Sequence, residues 1–387
     1  MSVENNLPKG WVETTLGEVS KVQTGPFGSQ LLKEQYITGG TPVVTVEHIV
    51  DFRITDIEYP SVTDEDKKRL SKYLLKEGDI IFTRVGSVDL SAYVAKKQNG
   101  WMFSSRMLSV RTNSDVDSKF LSYFFRQNSF RKYIHRISVG ATMPSINTNI
   151  LKSIPISYPP KSEQQAIASI LTTFDDKIEL LQAQNETLEA TAQTIFKEWF
   201  GKYQVGDELP EGWRVGMYQE IVYLSSGKGV KKSEYNDDGK YDIIGANGSL
   251  GKLDKFLINE RIIVTGRVGT LGTVFIINKP VWISDNVLIS KPKNNCLFHF
   301  VYFTLKGFNF TALNTGSTQP LITQGDLKSV DIIIPNETVL ESFEKVSSKL
   351  FQKIEDNQNQ IQTLQATRDT LLPKLMSGQL RVEGFKD

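Results

Sequence analysis

An internal repeat constrains the architecture of this chain more than any other feature of its sequence. The segment LPKGW that begins at Leu7 returns as LPEGW at Leu209, an offset of 202 residues. The segment GATMPSINTNILKSIPISYPP at 140–160 returns as GSTQPLITQGDLKSVDIIIPN at 316–336, an offset of 176. These periods are far too long for a solenoid repeat. The sequence therefore predicts two copies of one scaffold whose interior loops differ.

Each copy is predicted to be an α+β domain with a strand-rich core. Short β-branched runs bounded by Gly, Asn or Pro are typical of strands. They stand at 41–46, 79–85, 261–268 and 273–277. A helical pattern interrupts each copy, SKFLSYFFRQNSFRKYIHRIS at 118–138 and FHFVYFTL at 298–305.

A long helix with a heptad seam is predicted after each copy, where apolar residues alternate at steps of four and three. The first seam continues as far as Trp199, and the second starts with Val339, Phe343 and Val346. The seam residues are Ile167, Leu171, Phe174, Ile178, Leu181, Asn185, Leu188 and Ile195, then Leu350, Ile354, Asn357, Ile361, Leu364 and Leu371. We expect the two helices to pair antiparallel as a coiled coil; the alternative is that each packs only on its own domain.

The resulting domain organisation has four parts. Residues 1–157 form the first strand-rich domain, 158–206 the central long helix, 207–335 the second domain, and 336–387 the C-terminal long helix and tail. The net charge of +1 hides a segregation: 20 Lys and Arg stand against 16 Asp and Glu in 1–157, but 4 against 9 in 158–208. Mildly basic domains that alternate with acidic helices are compatible with binding to phosphates.

Composition argues against a secreted, membrane or metal-binding protein. The N-terminus has no signal-peptide pattern, and no apolar run is long enough to cross a bilayer. The single cysteine, Cys296, favours the reducing cytoplasm. The three histidines, His48, His135 and His299, are far apart in the sequence and do not suggest a metal site.

The long helices and the repeated openings resemble one protein family. YPPKSEQQAIASILTTFDDKIELLQAQNETLEATAQTIFKEWF at 158–200 and LQATRDTLLPKLMSGQLRV at 364–382 are similar to the two conserved regions of type I restriction–modification specificity subunits. LPKGWVETTLGEV and LPEGWRVGMYQEI resemble the start of their target recognition domains.

The resemblance implies a DNA-binding subunit without catalytic activity. Each target recognition domain would read one half of a bipartite, asymmetric site in double-stranded DNA, and the helices would set the spacer. The helices would also dock two modification subunits, which methylate adenine using S-adenosylmethionine, so no cofactor is expected in this chain. Restriction subunits with translocase and nuclease activity are the other implied partners.

Two alternatives remain open. The same fold could serve as an orphan or phase-variable specificity cassette without a restriction partner, or the chain could be a stand-alone DNA methyltransferase or nuclease. The second would need chemistry that the residues do not provide. SYPPK at 157–161 lacks both flanks of the Asn/Asp-Pro-Pro-aromatic motif of adenine methyltransferases. GANGSLGK at 245–252 departs from the phosphate-binding loop. Asp56, Glu65 and Lys67 could be imagined as a nuclease cluster, but spacing of this kind is common in charged loops.

Candidate DNA-binding residues lie in loops. Arg-Val-Gly loops at 84–87 and 267–270 and Gly-x-Thr loops at 140–147 and 316–323 recur in both copies. This recurrence favours either contact with the DNA backbone or a structural turn, and loops that differ between copies should carry sequence discrimination. The candidates are Ser29, Gln30, Lys33, Arg84, Ser87, Thr142, Ser145, Asn147, Lys228, Lys231, Lys232, Asn247, Arg267, Thr270, Thr318 and Gln319. The basic face of 118–138, with Arg126, Arg131, Lys132 and Arg136, could line a phosphate path, whereas its aromatic face is expected to be core.

Overall fold

The computed structural model describes residues 7–55, 57–316 and 319–382, and the chain divides into two compact units. The first unit contains the residues up to 180 and those from 361 onwards, and the second contains 181–360. Each unit holds one copy of the repeat as a strand-rich α+β domain, which confirms the predicted fold class. Among the described residues, no helix combines the length and apolar composition that a bilayer crossing requires.

The first unit is built around a four-stranded antiparallel sheet in the order β2-β10-β7-β8. A three-stranded sheet, β6-β3-β9, and the pairs β1-β11 and β4-β5 flank it. The strands are β1 (Val12–Thr15), β2 (Ser20–Thr24), β3 (Thr41–Val44), β4 (Ile49–Val50), β5 (Arg53–Ile54), β6 (Ser61–Val62), β7 (Ile80–Thr83), β8 (Ser91–Tyr93), β9 (Met102–Phe103), β10 (Met107–Thr112) and β11 (Pro155–Tyr158).

The second unit repeats this topology without the β4-β5 hairpin. Its main sheet has the order β13-β19-β16-β17, its smaller sheet the order β15-β14-β18, and β12 pairs with β20. The strands are β12 (Arg214–Met217), β13 (Val222–Ser226), β14 (Tyr241–Gly245), β15 (Gly248–Leu253), β16 (Ile262–Gly266), β17 (Val274–Ile277), β18 (Trp282–Ile283), β19 (Val287–Pro292) and β20 (Asp331–Ile334). In both units the smaller sheet contains one parallel pair, β3-β9 and β14-β18.

The main sheet of the first unit is covered on both faces. Ile80 and Phe82 of β7 face one apolar core, whereas Ile81 faces another. Alternate residues of a strand point to opposite faces, so a strand buried on both faces reads as a continuous apolar run. This explains the sequence IIF within DIIFTRV.

Helices connect and flank the sheets. They are α1 (Leu16–Val19), α2 (Asp64–Arg69), α3 (Ser118–Arg126), α4 (Asn128–Ile137), α5 (Thr148–Lys152), α6 (Lys161–Phe200), α7 (Phe298–Lys306), α8 (Gln324–Lys328) and α9 (Glu337–Met376). The single helix expected over 118–138 is two helices, because Gln127 adopts an extended conformation between them. This break lets Phe130 of α4 pack 4.8 Å, between ring centroids, from Phe125 of α3.

Both long helices, α6 and α9, have 40 residues, and segments of each contribute to both units. In the first unit Asp175 of α6 pairs with Arg368 of α9, and Glu163 near the start of α6 pairs with Arg381, which follows the end of α9. Position therefore rises along one segment as it falls along the other. In the second unit Asn357 bonds to Asn185. The helices are therefore antiparallel within the first unit, where two contacts fix their direction.

The predicted seam residues differ in burial. Ile167, Leu171, Ile178, Leu181, Ile354, Asn357 and Ile361 are buried, whereas Phe174, Asn185, Leu188, Ile195, Leu350, Leu364 and Leu371 are half-buried. At the outer end of the pattern the structure departs from it, because Val346 is 38% exposed and Trp199 is 36% exposed. Phe200, next to Trp199, is instead the buried residue; its ring packs on Phe300 and Phe343.

The recurring Leu-Pro-x-Gly-Trp openings pack at helix ends. A Cβ built on Gly378, just beyond α9, would lie 3.1 Å from Trp11. Trp213 packs 5.8 Å from Phe200, the last residue of α6, measured between ring centroids. Each tryptophan therefore fixes the start of a domain to the end of a long helix, which gives the repeated opening a structural role.

The polar seam residues form a hydrogen-bonded group in the second unit. The Asn357 amide nitrogen donates to Asn185 Oδ1 (2.8 Å) and to Gln184 Oε1 (3.0 Å), and Asn357 is 1% exposed. A buried asparagine in a coiled-coil seam costs stability but restricts the register, because slipped pairings would leave it without a partner.

We expect Asn185→Leu alone to lower the free energy of unfolding by about 1–3 kcal/mol, since the buried Asn357 amide would lose an acceptor. The double variant Asn185→Leu/Asn357→Leu should recover that loss, because apolar side chains then meet across the seam. Urea unfolding of the four proteins of this mutant cycle measures the coupling. A double variant as unstable as the sum of the single variants would contradict this account.

Candidate nucleic-acid interface

Four backbone segments meet at one end of the main sheet of the first unit. We call this surface the first edge; it comprises residues 24–25, 84–87, 104–107 and 139–147. N–H groups donate to carbonyl oxygens across it, from Gly25 to Met107 (3.1 Å), from Arg84 to Arg106 (2.8 Å), from Ile146 to Arg84 (2.9 Å) and from Gly86 to Pro144 (2.8 Å).

The second unit contains a corresponding arrangement, which we call the second edge; its described residues are 226–227, 267–270, 284–287, 315–316 and 319–323. The corresponding bonds run from Gly227 to Val287 (3.1 Å), from Arg267 to Asn286 (3.0 Å), from Ile322 to Arg267 (2.9 Å) and from Gly269 to Pro320 (3.0 Å). The structure therefore brings the Arg-Val-Gly loop and the Gly-x-Thr loop together in each unit, a contact that the sequence did not reveal.

Glycines at fixed positions make this close packing possible. A Cβ on Gly25 would lie 2.0 Å from the Ser104 carbonyl oxygen, and one on Gly227 would lie 2.1 Å from that of Ser284. Gly86 and Gly269 have φ angles of +83° and +75°, a left-handed conformation that favours glycine. The recurrence of these glycines thus has a structural explanation.

Candidate residues of the first edge divide into exposed and supporting side chains. Ser87 and Thr142 are exposed. Ser145 Oγ donates to the Val139 carbonyl (3.1 Å), and Asn147 Oδ1 accepts from the Ile150 N–H (2.9 Å), which caps α5. Asn147 therefore has a structural role whether or not it touches DNA.

Candidates in the loop after β2 lie beside the first edge. Ser29 and Lys33 are exposed. Gln30 is half-buried, and its Oε1 accepts from the Tyr73 hydroxyl at 2.6 Å. Its amide is therefore held in one orientation, with its NH₂ group left to donate.

The second edge holds Arg267 at its centre. Both Arg267 Nη1 (3.3 Å) and Gln324 Nε2 (2.9 Å) donate to Ser226 Oγ. Arg267 Nε is buried and has no hydrogen-bond partner among the described residues. The guanidinium is thus positioned by the fold and retains unused donor capacity.

Two other candidates of the second unit contact each other. Asn247 Nδ2 donates to Thr270 Oγ1 at 2.9 Å, which joins the β14-β15 turn to the Arg-Val-Gly loop. Gln319 is exposed, as are Lys228, Lys231 and Lys232. Thr318 lies outside the described residues.

Two exposed residues of the edges were not among the candidates predicted from the sequence. Arg106 and Asn286 lie beside Arg84 and Arg267 and accept from their N–H groups through their carbonyl oxygens. The matching segments SSRML at 104–108 and SDNVL at 284–288 could have indicated them. Both side-chain types can read bases or bind phosphates.

Two of the four basic side chains expected to line a phosphate path along 118–138 are engaged in ion pairs within the protein. Arg126 Nη1 lies 2.6 Å from Asp175 Oδ2, and Arg131 Nη2 lies 2.6 Å from Asp89 Oδ2. Burial alone would raise the pKa of Asp89, but the Arg131 guanidinium outweighs it and the pKa is lowered. Lys132 and Arg136 remain exposed.

The aromatic face of these two helices is core. Phe120, Tyr123 and Phe130 are buried, and Phe124 is half-buried. None of these rings is therefore placed to stack on a base.

Asp175 of α6 is a charged anchor for the first domain. Its carboxylate accepts from Arg126 (2.6 Å), from Arg368 (2.6 Å) and from the Tyr123 hydroxyl (2.8 Å). Burial would raise the pKa of Asp175, but the two arginines and the hydroxyl together hold it below its usual range. The carboxylate links α3, α6 and α9 within the first unit.

The second unit uses a different anchor. Glu189 of α6 accepts from the Tyr302 hydroxyl (2.6 Å) and from Lys306 (2.7 Å), both on α7. His299 of α7 is fully buried; its ring stacks on Phe351 of α9, and its Nδ1 lies 2.9 Å from Glu344 Oε2. Burial lowers the pKa of His299 although Glu344 opposes the shift.

The segment that resembles a phosphate-binding loop has a structural explanation. GANGSLGK forms the β14-β15 hairpin, with Ala246 and Asn247 in its turn, rather than a loop between a strand and a helix. Within the described ranges, no three His, Cys, Asp or Glu side chains cluster closely enough to hold a metal ion. Asp56, which with Glu65 and Lys67 made up the candidate nuclease cluster, lies outside those ranges.

Two stretches of the chain, residues 8–190 and 210–366, match the model of the type I restriction modification DNA specificity domain. The chain is 28% identical to the specificity subunit of type I restriction enzyme MjaIX from Methanocaldococcus jannaschii, over 97% of this chain and 95% of that protein. It is 22% identical to the HindI specificity subunit of Haemophilus influenzae, over 96% and 99% of the two chains. The fold is similar to the crystal structure of the type I restriction-modification S subunit from M. genitalium, with a TM-score of 0.60, 20% identity and coverage of 97% and 98%.

Proposed function

Because the chain belongs to the family of type I restriction modification DNA specificity domains, we propose that its two units read the two halves of one bipartite, asymmetric DNA sequence. It is a specificity subunit, not the methyltransferase or the nuclease itself. The target recognition domains are assigned to residues 1–157 and 207–335, and the helical segments to 158–206 and 336–387.

The observation that carries this proposal is the pair of edges. Their four backbone hydrogen bonds match in length within about 0.2 Å, yet the side chains displayed on them differ. Arg106 of the first edge corresponds to Asn286 of the second, and Met143 corresponds to Gln319. One scaffold that presents two sets of side chains is suited to reading two different base sequences, since bases are distinguished by donors, acceptors and methyl groups.

Phosphate contacts would supply affinity around these edges. The exposed lysines at 228, 231 and 232, together with Lys132 and Arg136, are assigned to the DNA backbone. Arg84 and Arg267 are fixed through both their N–H and C=O groups. They are assigned to the bases nearest the edge.

The chain works in a complex with other restriction-modification subunits. We assign two modification subunits, which bind S-adenosylmethionine, and restriction subunits as partners, all in the cytoplasm. The exposed faces of α6 and α9 are the assigned docking surface for the modification subunits.

Methylome sequencing of a strain that expresses this chain with its modification subunits tests the proposal. The expected result is adenine methylation within a sequence of two different half-sites separated by unread bases. A palindromic or uninterrupted site would contradict it. The same strain without this chain is the control and should lack that methylation.

The long helices should determine the spacer length. One heptad inserted in α6 between Gln182 and Ala183, with a matching heptad in α9 between Asn359 and Gln360, lengthens each helix by about 10 Å. We expect the unread gap to grow by about three base pairs, at about 3.4 Å each, with both half-sites unchanged. Methylome sequencing measures this, and a changed half-site with an unchanged gap would contradict it.

A further inference from the structure

The two ends of the Gly-x-Thr loop are joined by a backbone hydrogen bond on both edges. On the first edge, the Val139 N–H donates to the Ser145 carbonyl (2.9 Å), and the Ser145 N–H donates back to Val139 (2.8 Å). On the second edge, the Thr315 N–H donates to the Leu321 carbonyl (3.0 Å). The Leu321 N–H instead donates to Asn314 Oδ1 (2.9 Å). Between the joined ends the structure describes 140–144 on the first edge and Gly316, Gln319 and Pro320 on the second.

Within this loop, Met143 and Gln319 occupy matching positions. A Cβ built on Gly140 would lie 2.6 Å from the Met143 carbonyl oxygen, and one built on Gly316 would lie 1.9 Å from that of Gln319. The next residue in each loop is a proline, Pro144 or Pro320, whose carbonyl accepts from the Arg-Val-Gly loop. The main chain that follows each of the two side chains is therefore held in place.

The side chains of Met143 and Gln319 are exposed to solvent. Met143 is 63% exposed, and Val139 on the same loop is 62% exposed. Gln319 is exposed as well. Single exposed apolar residues are ordinary, but here the exposed pair lies on an ordered loop that contacts Arg84 through its backbone.

We propose that this loop-tip position reads one base pair in each half-site, with Met143 contacting a thymine methyl group and Gln319 bonding to adenine. The inference rests on the proposed function. In the major groove thymine presents its C5-methyl group, against which apolar side chains pack, and adenine presents N7 and N6 to the two ends of a glutamine amide. The same loop position thus supplies apolar recognition on one edge and hydrogen-bonding recognition on the other.

The first test replaces each thymine of the recognised sequence, one at a time, by deoxyuridine, which lacks only the methyl group. Competition binding uses the complex of this chain with its modification subunits. At one thymine of a single half-site, the wild-type complex should lose about fourfold in affinity, the effect of one buried methyl group. The Met143→Ala complex should bind the thymine and uracil duplexes equally, whereas the control Val12→Ala should retain the difference.

The second test replaces each adenine by 7-deazaadenine, which lacks the N7 acceptor. At one position in the other half-site, the wild-type complex should lose about fivefold or more, and Gln319→Ala should remove that loss. Gln219→Ala, an exposed glutamine away from the edges, is the matched control.

The outcomes separate this inference from the proposed function. A complex that binds its own sequence specifically but shows no thymine that depends on Met143 and no adenine that depends on Gln319 overturns the loop-tip inference alone. Met143→Ala could instead lower the affinity for thymine and uracil duplexes by the same factor relative to wild type, so that the fourfold difference between them persists. In that case Met143 acts as a wedge between bases, and the reading role is wrong. A complex without any sequence preference overturns the proposed function itself.

Discussion

Replacing Asp175 by alanine is expected to lower the free energy of unfolding of the first unit by about 3–5 kcal/mol. The variant leaves Arg126 and Arg368 without their shared carboxylate, and their side chains are only 13% and 19% exposed. Charges that lose a buried partner keep the cost of dehydration without the compensating attraction. Hydrogen exchange at increasing urea measures the change in α3 and in residues 161–180 of α6, separately from the second unit.

The pH dependence of this effect has a defined sign. Because the folded-state pKa of Asp175 lies below its usual value, its contribution is complete at neutral pH. It is lost as pH falls below about 4, where the unfolded chain binds the proton first. The gap between wild type and Asp175→Ala should therefore narrow in acid. Asp176→Ala, which removes the exposed neighbouring carboxylate, is the control, and an equal effect from both variants would contradict the anchor.

Gly25→Ala should disrupt the first edge. The new Cβ would lie 2.0 Å from the Ser104 carbonyl oxygen, so β2 and the 104–107 segment must separate. Overpacking of this kind costs about 1–3 kcal/mol. A displaced edge should also lower binding of the cognate duplex by about tenfold, which corresponds to about 1.4 kcal/mol.

Gly28→Ala provides the matched control, because a Cβ at Gly28 meets nothing within 4 Å. Urea unfolding and competition binding of both variants, assembled with their modification subunits, check the prediction. If Gly25→Ala bound like Gly28→Ala, the close approach at Gly25 would not organise the edge.

The sequence predicted those features that local periodicity encodes. Apolar residues at steps of three and four identified both long helices, and short β-branched runs identified β3, β7, β16 and β17. The duplicated topology followed from the matching segments at each end of the copies. Patterns of this kind persist because each element must bury one face.

Features that depend on distant partners could not be predicted in this way. Arg84 and Arg106 meet only because two strands are antiparallel neighbours, and nothing near either residue indicates the contact. Arg126 looked like a surface cation, because its partner Asp175 is 49 positions away. The break at Gln127 depends on Phe130 packing against Phe125, and helix propensity does not report tertiary packing.

The recurrence of a loop was also ambiguous from sequence alone. Gly86 and Gly269 recur because of their left-handed conformation. Met143 and Gln319 differ, although each precedes a proline whose carbonyl accepts from the Arg-Val-Gly loop. The structure separates positions that hold the edge from positions that the edge displays. The variable positions are therefore the ones to exchange in altering specificity.

The central claim, that each domain reads one half of the DNA site, is tested most directly by exchanging one domain. Residues 1–157 are replaced by the corresponding domain of another specificity subunit, and adenine methylation is mapped across the genome. We expect one half-site to become that of the donor, while the other half-site and the spacer remain those of this chain. An unchanged recognition sequence, or one in which both half-sites change together, would contradict the account.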